Sequence, residues 1–280
     1  MKKHTEIRFE EEIELSLIES GGYKGGNPDL YDKTNALFPN DLIEFIKFSQ
    51  PKRWGVIQNY YGSETEKTFI EAVVKDLNSR GALAVLRNGI RFFGKDFSLA
   101  YFKPNSTLNP ESAEQYATNI LSVYRQVRYQ SNYGNNSLDM VLALNGVPIV
   151  TMELKNPLSG QNVHNAIHQY KHDRDSKELL FSFNKRCLVH FAVDTDEVAM
   201  STKLAGDKTY FLPFNKGNNK GAGNPAVEGN YKTAYLWEEV LTRDSILDIV
   251  GKFLHLAKSG SSANHSQSAS PKLEYLIFPR

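Results

Sequence analysis

The chain has 280 residues, of which 40% are hydrophobic and 11% aromatic, and its formal net charge is +1. This composition excludes a wholly disordered chain, and the length allows one large core or two ordinary ones. No window contains the roughly twenty consecutive apolar residues of a membrane helix, and the acidic start, MKKHTEIRFEEE, differs from a secretory signal peptide. Because Cys187 is the single cysteine, no internal disulfide can form, and we expect a reducing, cytoplasmic location without membrane contact.

The N-terminal third is predicted to be helical. Thr5 is a candidate N-cap of a first helix, and the Gly21-Gly22 pair is a stop signal for it. The apolar positions of this helix recur at helical spacing: Phe9, Ile13 and Leu17. A second helix in NDLIEFIKFSQPKRW ends before Pro51, and a third in GSETEKTFIEAVVKDLNSRG has one apolar face.

Strands dominate the middle of the chain. GIRFFG and FSLAYF are strand-like, and Asn109 and Pro110 then begin a helix that is predicted to reach about Tyr124. Three strands follow in RQVRYQ, SLDMVLAL and VPIVTMELK, then a helix in GQNVHNAIHQYKHDRD and two strands in CLVHFAVD and EVAMSTK. The segment WEEVLTRDSILDIVGKFLHLA is predicted to be an amphipathic helix. The alternation of strands and helices predicts a mixed α/β domain.

Three charges, Asp139, Glu153 and Lys155, interrupt two apolar runs that otherwise suit the middle of a sheet. Charges in a buried strand cost free energy unless they are paired or hold a metal. Carboxylates that bind a divalent cation, together with a lysine that orients the attacking water, are what phosphodiester hydrolysis needs. This arrangement resembles that of the PD-(D/E)xK nuclease core, with Leu138 in the place of the motif's proline. The alternative is a chance pair of charges on an exposed sheet face, since the same acid-x-lysine spacing also occurs in a polar stretch of this chain, Asp175-Ser176-Lys177.

The Asn-Gly pair at 145–146 joins the two charged strands, and such pairs usually form two-residue type I′ turns. In that register Asp139 and Glu153 point to opposite faces of the sheet. We therefore predict an odd register or a bulge, in the form of a three-residue turn that pairs Ala143 with Val147. This pairing returns both carboxylates to one face, where they can share a cation.

Several blocks of the sequence resemble the N-terminal part of the restriction (R) subunit of type I restriction and modification enzymes. The blocks are FEEEIELSLIESGGY, NGVPIVTMELKNPLSGQ, AIHQYKHDRD, TYFLPFNKG and IFPR. The resemblance implies a restriction-endonuclease-like core, a mixed sheet flanked by helices, that cuts double-stranded DNA with Mg²⁺ or, as a substitute, Mn²⁺. It also implies specificity and methyltransferase subunits as partners.

In that family an ATP-driven DNA motor follows the nuclease. The resemblance therefore implies a nuclease domain at 1–258, a linker at 259–270 and, at 271–280, the start of an absent motor. Only that motor would need ATP, since the Walker phosphate-binding motif does not occur in the sequence.

Carried over residue by residue, the resemblance also implies site residues. Two carboxylates and one backbone carbonyl would bind the metal, from Asp139, Glu153 and Leu154. Lys155 would be the catalytic cation. Glu10 of the first helix is a candidate additional carboxylate and Glu66 is its competitor, although both can equally be solvated helix charges.

Other candidates depend on weaker patterns. In the related Gln-x-x-x-Tyr motif Tyr170 fits, but Ala166 takes the place of the glutamine and Gln169 is out of step, so Tyr170 can also be a core aromatic. Four basic residues are candidates for contacts with DNA phosphates: Arg125, Arg128, Lys171 and Arg174. Three histidines, at 164, 168 and 172, share a helical stripe that we interpret as a polar outer face and not as a zinc or nickel site.

The alternative function is a catalytically idle nuclease-fold module that docks the motor against the partner subunits. A metal titration separates the two hypotheses, because only the nuclease requires Mg²⁺ or Mn²⁺ to bind.

Overall fold

The computed structural model of the chain describes residues 2–103, 109–130, 136–258 and 274–279. The α-helices of this part are α1 (Lys2–Glu19), α2 (Pro39–Ser49), α3 (Pro51–Tyr61), α4 (Thr65–Arg80), α5 (Ala82–Asn88), α6 (Pro110–Ala117), α7 (Val163–His168) and α8 (Arg243–Asp248). The strands are β1 (Lys24–Gly25), β2 (Ile90–Phe92), β3 (Lys95–Phe97), β4 (Leu121–Arg128), β5 (Ser137–Leu144), β6 (Val147–Leu154), β7 (Val189–Val193), β8 (Val198–Ser201), β9 (Leu212–Pro213), β10 (His255–Lys258) and β11 (Glu274–Ile277). None of these helices is both long enough and apolar enough to cross a membrane.

Seven of the strands form one mixed sheet in the order β1-β4-β5-β6-β7-β8-β9. Strands β4, β5 and β6 are antiparallel neighbours, whereas β6 and β7 are parallel. The other strands form two small antiparallel pairs, β2 with β3 and β10 with β11. Helices flank the sheet, so the prediction of an α/β fold with a mixed sheet between helices is confirmed.

Alternation along β6 divides its side chains between two apolar cores. Met152 and Leu154 belong to the larger core, which includes residues of α1, α2, α4 and α5. The intervening Thr151 hydrogen-bonds Tyr170, which lies in a smaller core together with residues of α7. The residues predicted to form the apolar stripe of α1 are fully buried: Phe9, Ile13 and Leu17. The sheet thus buries apolar surface on both faces, which is the main favourable term in its stability.

The β5–β6 hairpin has a regular two-residue turn. Asn145 and Gly146 both have positive φ, 50° and 80°, as a type I′ turn requires, and Leu144 pairs with Val147. The prediction of a three-residue turn that pairs Ala143 with Val147 is therefore wrong. The turn is held in this form because the Asn145 side chain accepts a hydrogen bond from a neighbouring backbone N–H and donates one to a backbone carbonyl.

The predicted bulge is present, but it lies farther from the turn. Ala143 pairs with Pro148 whereas Leu142 pairs with Val150, so Ile149 is an extra residue on β6. Proline has no N–H to donate to a neighbouring strand, and within sheets it is therefore confined to edges, strand starts and bulges. Pro148 was the sequence signal for the position of this bulge.

The bulge changes which residues face each other at the far end of the hairpin. Met140 pairs with Met152, and the same register sets Asp139 opposite Glu153. Residues opposite each other share a face of the sheet. The predicted consequence, both carboxylates on one face, is therefore confirmed.

Close packing around the turn leads to a prediction on Gly146. A Cβ there would lie 2.4 Å from the Phe38 carbonyl oxygen and 2.6 Å from the Leu42 nitrogen, whereas one on Gly94, also at positive φ, would meet nothing within 4 Å. Both alanine variants strain the backbone, but only Gly146→Ala adds a clash. We expect Gly146→Ala to lower the free energy of unfolding by about 1–3 kcal/mol more than Gly94→Ala does, as measured by urea denaturation. Equal losses would contradict this packing.

Two helices have a boundary that differs from the prediction, α1 at its start and α6 at its end. Helix α1 begins before Thr5, which is therefore not its cap. Helix α6 has the predicted cap, since Asn109 Oδ1 accepts a hydrogen bond from the Glu111 N–H at 3.1 Å, but it ends at Ala117. The segment up to Tyr124 belongs to β4, because its β-branched and aromatic residues suit a strand that pairs with β5.

The helix predicted in WEEVLTRDSILDIVGKFLHLA is not continuous. A π-helical turn at Leu236–Val240 is separated from α8 by Thr242, which is extended with ψ 153°. The following N–H, of Arg243, donates to the Gly21 carbonyl at 2.7 Å instead of continuing a helix. Tertiary contact with the end of α1 thus overrides the amphipathic pattern.

The predicted linker at 259–270 lies outside the described residues. Beyond it, β11 pairs with β10, and the Phe278 ring lies 5.8 Å from that of Phe191 and 5.9 Å from that of Phe214, between centroids. Phe278 therefore belongs to the larger core. The boundary between a nuclease domain and a motor stays a prediction.

Candidate active site

The bulged hairpin brings the start of β5, which carries Asp139, close to the end of β6. Asp139 Oδ2 accepts a hydrogen bond from the Leu154 N–H at 2.8 Å and lies 3.9 Å from Lys155 Nζ. Lys155 is only 6% exposed, and its own N–H is bonded to the Val193 carbonyl of β7 at 2.9 Å. The backbone of two neighbouring strands therefore fixes the positions of Asp139 and Lys155.

Glu153 lies on the same face and is fully buried. Its Oε1 accepts a hydrogen bond from Arg174 Nε at 2.6 Å, whereas its Oε2 has no hydrogen-bond partner among the described residues. Burial, and then the charge of Asp139, raise the pKa of Glu153, and Arg174 opposes this shift. One oxygen of this carboxylate is thus held by an ion pair, and the other is buried without a donor.

Helix α1 adds a third carboxylate. Glu10 is 3% exposed, and its Oε1 accepts a hydrogen bond from Gln126 Nε2 at 2.9 Å. The same Nε2 donates to Asp139 Oδ1 at 3.2 Å, so one amide joins the two carboxylates. Glu10 Oε2 has no hydrogen-bond partner in the part of the chain that the structure describes, although Arg125 Nε lies 3.8 Å away. Burial and the charge of Asp139 raise the pKa of Glu10 to about 7.

This pKa shift predicts a pH dependence of stability. Since the pKa of Glu10 rises from 4.5 in its ordinary state to about 7 in the fold, the folded chain binds this proton more tightly than the unfolded chain. The corresponding stability is complete below about pH 4.5 and is lost as the pH rises through about 7. We expect the free energy of unfolding of the metal-free chain to decline over this range, and Glu10→Gln to flatten the decline. Identical pH profiles of the parent and Glu10→Gln would contradict this account.

These groups surround a cavity of about 870 Å³. Its lining residues are Glu6, Ile7, Glu10, Arg125, Gln126, Asn136, Ser137, Asp139, Lys155, Gln169, His172, Asp173 and Arg174. The structure therefore brings together most of the predicted catalytic and accessory residues, with Glu153 buried behind the cavity wall. Glu66, the predicted competitor of Glu10, is instead on α4, where it forms an exposed ion pair with Lys47.

Tyr170 and Gln169 occupy different environments, although they are adjacent in the chain. Tyr170 is fully buried in the smaller core, and its hydroxyl lies 2.8 Å from Thr151 Oγ1, in agreement with the core-aromatic interpretation. Gln169 lines the cavity, and its buried Oε1 has no hydrogen-bond partner within the described residues. The helix changes to a π-helical turn at Gln169–Asp173, and π-helical turns are frequent at functional sites.

Two of the four predicted DNA-binding residues are engaged within the protein. Arg174 is 5% exposed, and besides Glu153 it contacts the Ser137 carbonyl at 2.9 Å and the Tyr129 hydroxyl at 3.3 Å. Arg125 lies 3.2–3.8 Å from three glutamates of α1, which are Glu10, Glu11 and Glu14. Arg174 is therefore a buried partner of Glu153 and not a surface phosphate ligand.

The other two basic residues and the histidines lie nearer the surface. Arg128 is exposed and Lys171 is partly exposed, and their contact with DNA stays a prediction. The three histidines of the predicted stripe are exposed, at 164, 168 and 172. His172 Nδ1 lies 3.2 Å from Asp207 Oδ1. This exposure agrees with a polar outer face for the first two histidines, whereas His172 also lines the cavity.

The site's donors fit a hard divalent cation. Carboxylate oxygens are ligands that Mg²⁺ prefers. Glu10 and Glu153 each have a buried oxygen that accepts no hydrogen bond from the described residues, and these oxygens could bind a cation. Over the described ranges no three His, Cys, Asp or Glu side chains converge into a complete metal site. A cation at Asp139 and Glu153 would therefore need backbone and water ligands as well, which is usual for Mg²⁺.

Sequence reasoning missed two residues of this site. Gln126 belongs to no known motif. Its strand was predicted, but the sequence pattern does not show where its side chain lies. Arg174 was noticed only for its charge, because a run of charged residues, KHDRD, resembles a solvated surface segment. The carboxylates in buried strands were the signal that could have identified Arg174, because a buried carboxylate needs a cation as its partner.

Comparison with known proteins gives one family match. A model of the family described as "Type I restriction enzyme R protein N terminus" matches residues 4–209 of the 280. The matched range contains every residue that lines the cavity. None of the curated proteins compared with the chain matches it.

Proposed function

The chain belongs to the family of type I restriction enzyme R protein N termini, and we propose that it is a PD-(D/E)xK nuclease domain that cleaves double-stranded DNA with Mg²⁺. Membership of this family points to a multisubunit restriction enzyme that acts on DNA. The finer statements, on the cation and the roles of individual residues, are supported by the geometry of the cavity.

One observation supports the proposal most strongly. The bulge at Ile149 shifts the register so that Asp139 faces Glu153, and Asp139 then contacts both the Leu154 N–H and the Lys155 ammonium group. A bulge in a central strand interrupts the ladder of hydrogen bonds. In this hairpin the interruption places a pair of carboxylates and a lysine together at one end of the two strands.

The two carboxylates would hold the cation. Asp139 and Glu153 each offer carboxylate oxygen, and the Leu154 carbonyl is the predicted third protein ligand. Bound Mg²⁺ supplies Lewis-acid polarisation of the phosphate and lowers the pKa of a water molecule. Asp139 is oriented by hydrogen bonds to both of its oxygens, and Glu153 by its ion pair with Arg174. The site is thus preorganised, which limits the reorganisation that binding would require.

Lys155 would act on the reaction itself. Its ammonium group points into the cavity beside Asp139, where it can orient the attacking water and offset the negative charge that develops on the phosphate. Attack would displace the 3′ oxygen of the scissile bond. Because Lys155 belongs to the strand that also carries Glu153, the spacing of the two groups is set by the backbone of β6.

The remaining parts of the proposal concern the complete enzyme. Specificity and methyltransferase subunits would recognise the DNA, and an ATP-driven motor would deliver it to the cavity. Of the four basic residues predicted to contact phosphates, Arg128 and Lys171 remain candidates, since Arg125 and Arg174 are engaged internally. Mn²⁺ is expected to replace Mg²⁺, because it also accepts oxygen ligands.

Asp139→Asn tests the proposal. It keeps the size of the side chain but removes the charge that a cation needs, so an R subunit that carries this domain should no longer cut unmethylated DNA in its assembled enzyme. The measurement is the amount of linear product formed from a circular DNA with Mg²⁺. The matched control is Asp96→Asn, which changes an exposed aspartate of β3 and should leave cleavage unchanged.

Retained cleavage by Asp139→Asn would contradict the proposed mechanism. A parent chain that fails to bind Mg²⁺ or Mn²⁺ in a calorimetric titration would favour the idle docking module instead.

A further inference from the structure

Gln126 has an unusual backbone for its place in the fold. It lies within β4 with a φ of 53°, in the left-handed region that residues with a Cβ rarely adopt. Its neighbours Arg125 and Val127 keep a regular pairing with Met140 and Leu138 of β5, so the strand does not slip at this point. Gln126 is exposed to the cavity, so packing in a core does not account for the strain. Such strain clusters at functional sites.

The side chain of Gln126 has a defined orientation. One end of its amide faces Glu10 and Asp139, and ionised carboxylates only accept hydrogen bonds, so this end is Nε2. The opposite end, Oε1, accepts a hydrogen bond from Ser137 Oγ at 2.7 Å. Nε2 then donates to Glu10 Oε1 at 2.9 Å and to Asp139 Oδ1 at 3.2 Å. A primary amide has two N–H donors, so each carboxylate receives one of them.

The amide connects carboxylates that come from two different elements of the fold. Glu10 comes from α1 and Asp139 from β5, and their negative charges repel each other. A cationic side chain between them would relieve the repulsion, but it would also compete with a divalent cation. The neutral amide of Gln126 fixes both carboxylates while leaving their charge in place. Each carboxylate also keeps an oxygen that does not bind Gln126.

We propose that Gln126 is a positioning residue, whose amide fixes the orientation of the Glu10 and Asp139 carboxylates on the wall of the cavity where a divalent cation would bind. The inference rests on the proposed function, since it assumes that the cavity binds a cation. It assigns a role to a strained residue that the family motif does not include. Groups that orient metal ligands in this way typically contribute about 10- to 100-fold to metal affinity.

Gln126→Gly separates positioning from folding. Glycine adopts positive φ without strain, so this variant removes the amide and relaxes the backbone together. We expect the melting temperature of the 280-residue chain to stay the same or rise, while Mn²⁺ binding, measured by calorimetry, weakens about 10- to 100-fold. Gln126→Asn is the second variant, because asparagine tolerates positive φ but is one methylene too short to reach both carboxylates. It should weaken Mn²⁺ binding similarly.

The matched control is Gln115→Asn. Gln115 also donates to a glutamate, Glu111 Oε1 at 3.4 Å, but on the exposed side of α6, so this change should not affect Mn²⁺ binding. Unchanged affinity in folded Gln126→Gly would overturn the inference while the proposed function stands. A fall in both melting temperature and affinity would show a structural role and would overturn it as well. If the parent chain binds no Mn²⁺, the proposed function fails and the inference fails with it.

Discussion

Replacing Lys155 by alanine is expected to reduce DNA cleavage about 10²- to 10⁴-fold, the usual range for a group that acts in proton transfer or electrostatic stabilisation. The fold should persist, because Asp139 retains its hydrogen bonds to the Leu154 N–H and to Gln126. ATP turnover by a complete enzyme should persist too, since the change lies in the cavity proposed to cleave DNA. The measurements are the single-turnover cleavage rate, the melting temperature and the rate of ATP hydrolysis.

Lys177 supplies a matched control. It is exposed and ends Asp175-Ser176-Lys177, which has the acid-x-lysine spacing of Glu153 and Lys155 but lies outside the cavity. Lys177→Ala should therefore leave cleavage unchanged. If Lys155→Ala lost ATP turnover and cleavage in parallel, Lys155 would have a structural role instead.

Replacing Arg174 by alanine is expected to lower the free energy of unfolding by about 3–5 kcal/mol, because it leaves a buried carboxylate without its partner. Glu153 is fully buried, and Arg174 Nε lies 2.6 Å from its Oε1. Asp139 adds repulsion on the same face, which increases the cost of an uncompensated charge. Urea denaturation without divalent cations at neutral pH measures this loss.

Two comparisons define the origin of the loss. Arg8→Ala breaks an ion pair on the exposed side of α1, with Arg8 Nε 2.9 Å from Glu12 Oε1, and should cost much less stability than Arg174→Ala, because water and salt screen an exposed pair. The double variant Arg174→Ala/Glu153→Gln should regain much of the stability, since a neutral amide needs no cation. A double variant as unstable as Arg174→Ala would show that packing of the arginine, and not its charge, is what the fold requires.

The sequence predicted the two strands of the site better than their register. Strands β5 and β6 were predicted from their apolar runs, and the charges within them identified Asp139, Glu153 and Lys155 as residues that share a site. The position of the bulge was predicted wrongly, because the irregularity was expected at the Asn-Gly turn. Pro148 indicated the correct position, since a proline in a central strand signals a bulge.

Residues whose roles depend on distant contacts could not be predicted. Arg174 lies in a charged segment, and only the fold shows that it is buried against Glu153. The side chain of Gln126 reaches α1 and β5 because of a backbone conformation that its residue type does not favour. The segment up to Tyr124 was predicted to be helical, but the structure has a strand at its end. Pairing with β5 decides the structure there, and such pairing involves residues distant in the sequence.

The most direct test of the proposed site is the location of a bound cation. Crystals of the chain grown with Mn²⁺ should show an anomalous difference peak in contact with the carboxylates of Asp139 and Glu153, with the Leu154 carbonyl oxygen in the same coordination shell. Crystals of Asp139→Asn prepared in the same way should lack that peak. A saturating Mn²⁺ concentration that leaves no peak at these carboxylates in the parent chain would contradict the metal-dependent nuclease proposed for this cavity.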